Sequence, residues 1–376
     1  MSSKYPPLKV AIILHPLNIE LFLYNFHFFY RPISYLVKPF ERFFSPYLIK
    51  KFYPLCSPHV FMNLKEIDLG EDRRINLIGV MCPLFPDQLI LNPKQAIDKI
   101  IYSAQLAKRM GAQIVALAGF TSIVSNGGID ILGQVNLAIT SGNSLTAALG
   151  IEGIERAVKL CNKKMENCTM AIIGATGDIG SICAKIFARK LKKIILCARK
   201  KETINDLAAK LKETHKIEIE IECSAKVASQ KSDIILTATS SLGNLIELSE
   251  LKTGAIVCDL AMPPNILRSS IQERKDVFVF DGGRAKIKFY DKIKNKQWTS
   301  LFPQNVIYGC FAEAIALALE NKFESYSVGK GNITEEKVNN IRMIGKKNGI
   351  ELSEFYFGNK KYSEHEFEDL RQINHD

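Results

Sequence analysis

The feature that most constrains this chain is a glycine-rich turn, Gly174-Ala175-Thr176-Gly177-Asp178-Ile179-Gly180. It follows an apolar, β-branched run, Thr169 to Ile173, and opens a helical pattern from Ile179 to Leu191. In such a turn the first glycine permits the tight bend, the second lets the backbone approach a pyrophosphate, and the third lets helix and strand pack closely. The helix N-terminus adds free N–H groups and partial positive charge for the phosphates. A strand before and a helix after separate a dinucleotide loop from chance glycines. Gly174, Thr176, Gly177, Asp178, Ile179 and Gly180 are therefore the expected cofactor-binding residues.

The pattern continues downstream. Lys193 to Ala198, Ile234 to Thr239, Ala255 to Leu260 and Val277 to Phe280 are buried-strand candidates separated by polar or helical segments. Such alternation predicts an α/β protein with a Rossmann-type, doubly wound parallel sheet. Upstream, Ile75 to Cys82 and Ile114 to Gly119 read as strands. Pro93 to Met110 reads as a helix, with Asn92 as its cap and Gly111 as its stop. Ser144 to Leu160 reads as another helix, capped by Ser141 or Asn143. These upstream elements predict an N-terminal α/β substrate domain, and the last residues predict C-terminal helices. The expected divisions are 1–60, an aromatic and basic arm; 61–163, the substrate domain; 164–305, the dinucleotide domain; and 306–376, a C-terminal helical segment.

The strand after the loop bears on the choice of dinucleotide. Ile194 to Ala198 ends at Arg199-Lys200-Lys201, where an NAD site usually places a carboxylate for the ribose 2′-hydroxyl. Arg199, with Lys200 beside it, suits a 2′-phosphate instead, so the expected cofactor is NADPH. The alternative is that these cations only decorate a strand end. Thr237, Thr239 and Ser240, at the end of a later strand, are expected to face the cofactor.

Composition narrows the setting. Of 376 residues, 47% are hydrophobic and 24% charged, as in a chain that buries a sizeable core. The net charge of +11 is spread along the chain without a recognised nucleic-acid motif, so no nucleic-acid partner is expected. Nine cysteines without regular spacing argue against a disulfide framework and for a reducing, cytoplasmic location. Residues 1–10 lack the features of a secretory signal. The most apolar stretch, Val10 to Tyr30, is interrupted by His15, Asn18, Glu20, Asn25 and His27, so no spanning helix is expected. Leu21 to Tyr53 interleaves aromatic residues with Arg31, Lys38, Arg42, Lys50 and Lys51. That mixture fits peripheral membrane contact or, equally, an arm packed on the fold.

Cys197 and Cys258, within apolar strands, and Cys183, in the helix after the glycine turn, read as core. Cys310 differs, standing in Tyr308-Gly309-Cys310-Phe311-Ala312-Glu313 where a strong helix (Ala312 to Glu320) begins. A helix N-terminus is expected to lower its pKa, and Gly309 leaves room for a substrate. The alternative is a packed cysteine. Glu313 reads as a structural partner in the first turn. Two polar turns precede the dinucleotide domain, Gly119-Phe120-Thr121-Ser122 and Thr140-Ser141-Gly142-Asn143-Ser144. Thr121, Ser122, Asn143 and Ser144 either donate to a carbonyl oxygen or cap helices.

Taken in order, these motifs resemble the long-chain acyl-[acyl-carrier-protein] reductase family of the cyanobacterial type. The resemblance runs from about Pro93 to Ile350. It is carried by Ala118 to Ile123, Thr140 to Ser144, Ala171 to Ser181, Ala198-Arg199, Asp281 to Gly283, Cys310 to Glu313 and Gly329 to Thr334. It implies that Cys310 is the active-site cysteine and that an acyl-carrier-protein or acyl-CoA thioester is reduced by NADPH to a fatty aldehyde. It also implies an aldehyde-consuming partner and stimulation by Mg2+, although no metal motif is visible. Where the family commonly carries a histidine after the Asn-Ser pair, this chain has Leu145. The first ninety residues also depart from the family pattern. Three competing readings are a glutamyl-tRNA reductase relative, favoured by Asp259-Leu260-Ala261-Met262-Pro263, a shikimate dehydrogenase relative, and a non-catalytic NADPH-binding protein of membrane surfaces.

Overall fold

The computed structural model describes residues 6–17, 46–199, 201–241, 243–267 and 274–373. Most of the aromatic and basic stretch, and Lys200, lie outside the described residues. The chain forms two compact units, and both are assembled from separated pieces of sequence.

The first unit comprises Met1–Gly142, Ile287–Gly329 and Ile344–Ile350. Its sheet has the order β2-β3-β1-β4-β5, with β1 (Leu8–Leu14), β2 (His59–Gly70), β3 (Arg73–Met81), β4 (Ile114–Leu117) and β5 (Ala138–Thr140). Only β2 runs antiparallel to its neighbour. The central strand is β1, and its residues Val10 to Ile13 are fully buried. The sequence placed these residues in a separate arm. A strand covered on both faces has no alternation, so it reads as a plain apolar run. The helix Pro93–Arg109 forms as expected: Asn92 accepts from Gln95 N, and Ala96, Ile100, Ala104 and Ala107 make the buried stripe. Each large side chain buried in this way contributes about 1.5–3 kcal/mol.

The helix Gly309–Leu319 also belongs to the first unit and packs on β1 and β4. It is apolar on every side, and all of it except Cys310 is buried. The segment expected as one C-terminal piece therefore divides between the units.

The second unit comprises Asn143–Lys286, Lys330–Met343 and Glu351–Asp376. Its strands are β6 (Thr169–Ile173), β7 (Lys193–Cys197), β8 (Glu218–Glu222), β9 (Ile234–Thr237), β10 (Ile256–Asp259) and β11 (Phe278–Asp281). All six are parallel, in the order β11-β10-β9-β6-β7-β8. This is the strand order of the dinucleotide-binding Rossmann fold, and its switch point lies between β6 and β9. The edge strand β8, Glu-Ile-Glu-Ile-Glu, escaped the sequence reading. Its carboxylates meet Lys193 and Lys231, and a charged edge resists pairing with other chains. At the opposite edge Phe278 makes edge-to-face contacts with Phe355, Tyr362 and Phe367, which anchor the chain end on β11.

Among the described residues no helix is long and apolar enough to cross a membrane.

Candidate active site

In the second unit, Gly174 leaves β6 with a φ of +88°, a conformation that only glycine adopts readily. Its N–H and that of Ala175 both donate to Cys197 O, at 2.8 and 3.1 Å. A methyl group on Gly174 would stand 2.5 Å from Ala238 O, so the loops after β6 and β9 meet at the switch point. A methyl group on Gly180 would stand 2.2 Å from Gly174 O, which excludes any side chain there. Gly177 is different. Its nearest neighbour would be 3.3 Å away, and it caps the helix Asp178–Phe187. Two glycines thus close the turn, while the third leaves bare backbone at a helix N-terminus, as a pyrophosphate requires. The residues present therefore fit a dinucleotide.

The other predicted cofactor contacts fare unequally. Thr176, Asp178 and Ile179 are half-buried. The Asp178 carboxylate accepts the Gly331 N–H at 2.8 Å, so it is engaged in tying down that loop. Arg199 is exposed directly after β7. Thr239 is half-buried, with its hydroxyl 2.8 Å from Asn265 Oδ1, and Ser240 is exposed. Thr237 is fully buried and its hydroxyl donates to Asp259, so that group is engaged in holding the strand end. Asp259 also accepts from Ala261 N and Asn265 N, at 3.0 and 2.9 Å. Burial nevertheless raises its carboxyl to about 6, against those hydrogen bonds.

In the first unit, polar groups gather at the C-terminal ends of β1, β4 and β5. His15, just past β1, is buried; its Nε2 accepts from Phe120 N at 3.1 Å and its Nδ1 lies 2.9 Å from Pro16 O. An Nε2 that accepts an N–H carries no proton, so Nδ1 is the protonated nitrogen and donates to Pro16. Burial lowers the ring to about 4, more than the Pro16 bond raises it, and the ring is neutral near pH 7. Gly119 has a φ of +57°, and a methyl group there would stand 2.9 Å from His15 Nε2. Thr121 and Ser122 were expected either to donate to a carbonyl oxygen or to cap a helix. Thr121 is fully buried and donates to Ala118 O at 2.9 Å, and Ser122 beside it is also buried.

The second polar turn carries more. Thr140 is buried, and its hydroxyl donates to the carboxylate of Glu313 while accepting from Gly142 N at 3.0 Å. Ser141 donates to Ser327 O at 2.5 Å. Gly142 has a φ of +71°, and a methyl group on it would fall 2.0 Å from the Cys310 Cα. Asn143 and Ser144 begin the helix Asn143–Leu160 in the second unit; Asn143 is half-buried and Ser144 fully buried, as is Leu145.

Cys310 is the second residue of its helix and half-buried. Helix position was expected to lower its pKa. Burial instead pushes the thiol up to about 12; the N–H groups of Phe311 and Cys310 act against this and the Glu313 carboxylate with it. Desolvation therefore outweighs the helix terminus, and the resting group is a thiol. Glu313 lies beyond the first turn, because the helix starts three residues earlier than its apolar pattern indicated. The sequence reading missed His15 and the Thr140–Glu313 pair. A histidine ending an apolar run was the one available sign of the former, and none pointed to the latter. Among the described residues no group of three or more His, Cys, Asp or Glu side chains is placed to hold a metal ion, so nothing here supports Mg2+.

Residues 132–281 match the family model described as shikimate / quinate 5-dehydrogenase. Aminotransferase PigE of Serratia sp. is 25% identical over 291 residues, which cover 77% of this chain and 34% of that protein. The chain thus spans about a third of the length of that relative. A glutamyl-tRNA reductase of Acinetobacter baumannii is 27% identical over 138 residues, 34% of this chain and 31% of its own. The solved nucleotide-binding domain of Thermoplasma volcanium glutamyl-tRNA reductase is 20% identical, covering 36% of this chain and 84% of its own, with a TM-score of 0.27. The long-chain acyl-[acyl-carrier-protein] reductase of Synechococcus elongatus is 30% identical over 274 residues, 69% of this chain and 76% of its own. On that identity and coverage, the chain belongs to the long-chain acyl-[acyl-carrier-protein] reductase family.

Proposed function

We propose that the protein reduces a long-chain acyl thioester, carried on acyl carrier protein or coenzyme A, to a fatty aldehyde through an acyl-enzyme on Cys310. The observation that carries this reading is the placement of Cys310: second in its helix, half-buried, with a side-chain-free Gly142 against it. After losing its proton, the sulfur attacks the thioester carbonyl. The new C–S bond forms as the bond to the carrier sulfur breaks, and the carrier thiol leaves with a proton. NADPH, held by the 174–180 glycine turn with Arg199 at its ribose, would supply the hydride for reduction of the enzyme-held thioester. The C–S bond to Cys310 then breaks as the aldehyde is released. The acyl group stays activated throughout, so one hydride suffices. Arg199-Lys200, standing in sequence where an NAD site usually places a carboxylate, favours NADPH over NADH.

A glutamyl-tRNA reductase-like reaction finds less support: that family sets its cysteine in a Ser-Thr-Cys-Asn-Arg context, and the nearest match here, Cys161-Asn162-Lys163, lacks the Ser-Thr and has its cysteine fully buried. The test of the proposal is intact mass after incubation with a long-chain acyl-CoA and no NADPH. The parent gains an acyl adduct that Cys310→Ala cannot form, and adding NADPH releases aldehyde. An adduct without aldehyde points to an acyltransferase, and no adduct removes Cys310 from the reaction. NADPH oxidation measured with acyl-carrier and acyl-CoA substrates side by side identifies the carrier.

A further inference from the structure

The helix that bears Cys310 carries a second ionisable side chain one turn further on. Glu313 is fully buried. A buried carboxylate is costly unless hydrogen bonds compensate it, so its partners are informative. One partner is Thr140, whose hydroxyl donates to Glu313 while its oxygen accepts the Gly142 N–H. With its proton given to Glu313, the hydroxyl must face Gly142 as an acceptor. Gly142 in turn packs its Cα against the Cys310 backbone, leaving no room for a methyl group. The chain of contacts thus starts on the helix at Glu313 and returns to the same helix at Cys310. Ser141, between the two, is held by Ser327 O.

We propose that Glu313 is a positioning residue for Cys310, acting through the Thr140 hydroxyl to lock the Thr140–Gly142 turn against the nucleophile. This rests on the reading of Cys310 as the residue that takes the acyl group. Such a lock keeps the sulfur in one place while a bulky acyl group is attached, and misplacement of a reacting atom by even an ångström is costly. Glu313 has a second, separable effect. Its carboxylate opposes ionisation of Cys310, while the N–H groups of Phe311 and Cys310 favour it.

The test uses the full chain and the variants E313Q, T140V and T140S, with C310A as the blank. Alkylation of the Cys310 peptide by iodoacetamide is followed by mass across a range of pH. Acyl-adduct formation from palmitoyl-CoA is followed without NADPH, and thermal unfolding is recorded for each variant. E313Q keeps the shape and removes the charge, so its alkylation profile moves to lower pH. T140V cuts the link and slows adduct formation about tenfold, whereas T140S, which keeps the hydroxyl, retains the parent rate. The T140V and T140S contrast is also read on iodoacetamide at fixed pH. If the parent forms no adduct, the functional reading fails while this contrast still decides the role of Glu313. Equal Cys310 reactivity in T140V and T140S overturns the proposal, as does a lowered melting temperature with both reaction rates unchanged.

Discussion

The backbone N–H of Phe120 donates to Nε2 of His15 at 3.1 Å, across 105 residues of sequence. The bond requires a neutral ring, and burial enforces one by lowering the pKa from 6.5 to about 4. A group whose folded pKa is depressed in this way favours proton uptake by the unfolded chain. Its stabilisation is complete above pH 6.5 and is lost as the pH falls through about 4. The full effect is about 3 kcal/mol. His15→Asn cannot take up the proton. The stability difference between parent and variant, from urea unfolding, should therefore shrink by that amount between neutral pH and pH 4. A difference that stays flat would show that the ring is not held neutral.

Gly177 and Gly180 separate binding from folding. Gly177→Ala places its methyl group 3.3 Å from Gly174 O, a contact that a small shift relieves, so the variant should fold and lose less stability than Gly180→Ala. Its methyl group occupies the approach expected for the pyrophosphate, and NADPH affinity should fall about tenfold by fluorescence titration. Gly180→Ala places a methyl group 2.2 Å from Gly174 O and should instead lose about 1–3 kcal/mol of stability.

Arg199 is exposed at the end of β7, where the strand delivers it to the expected ribose site. Arg199→Glu would repel a 2′-phosphate and accept from a 2′-hydroxyl. The ratio of NADPH to NADH affinity should fall by about tenfold or more. An unchanged ratio would remove Arg199 from cofactor selection.

Ile12 is fully buried in the middle of β1. Ile12→Ala should cost about 2–5 kcal/mol in chemical denaturation. A residue of a detachable arm would lose almost nothing, so the measurement distinguishes a core strand from an appendage.

Much of the second unit could be read from the sequence. Strands β6, β7, β9, β10 and β11 are buried on both faces and appear as short apolar runs, and the glycine turn marks the first of them. Strand β8 could not be read this way, because its glutamates obey an edge position. In the first unit β1 merged with the aromatic residues that follow it in sequence. The start of the Cys310 helix was hidden by Gly309, a poor helix former, which misplaced Glu313 by a turn. The direction of the thiol shift depends on how much protein surrounds the sulfur, which no local motif reports. Thr140 and Glu313 lie 173 residues apart, so only the folded topology could pair them.

The helix with Cys310 covers β1 and β4, yet it is encoded beyond the entire dinucleotide sheet. A ribosome must therefore complete the second unit's six strands before the first unit can close its core. Neither half is a cassette that recombination could transplant as one stretch of gene, and a chain cut short before Leu319 would leave β1 without its roof.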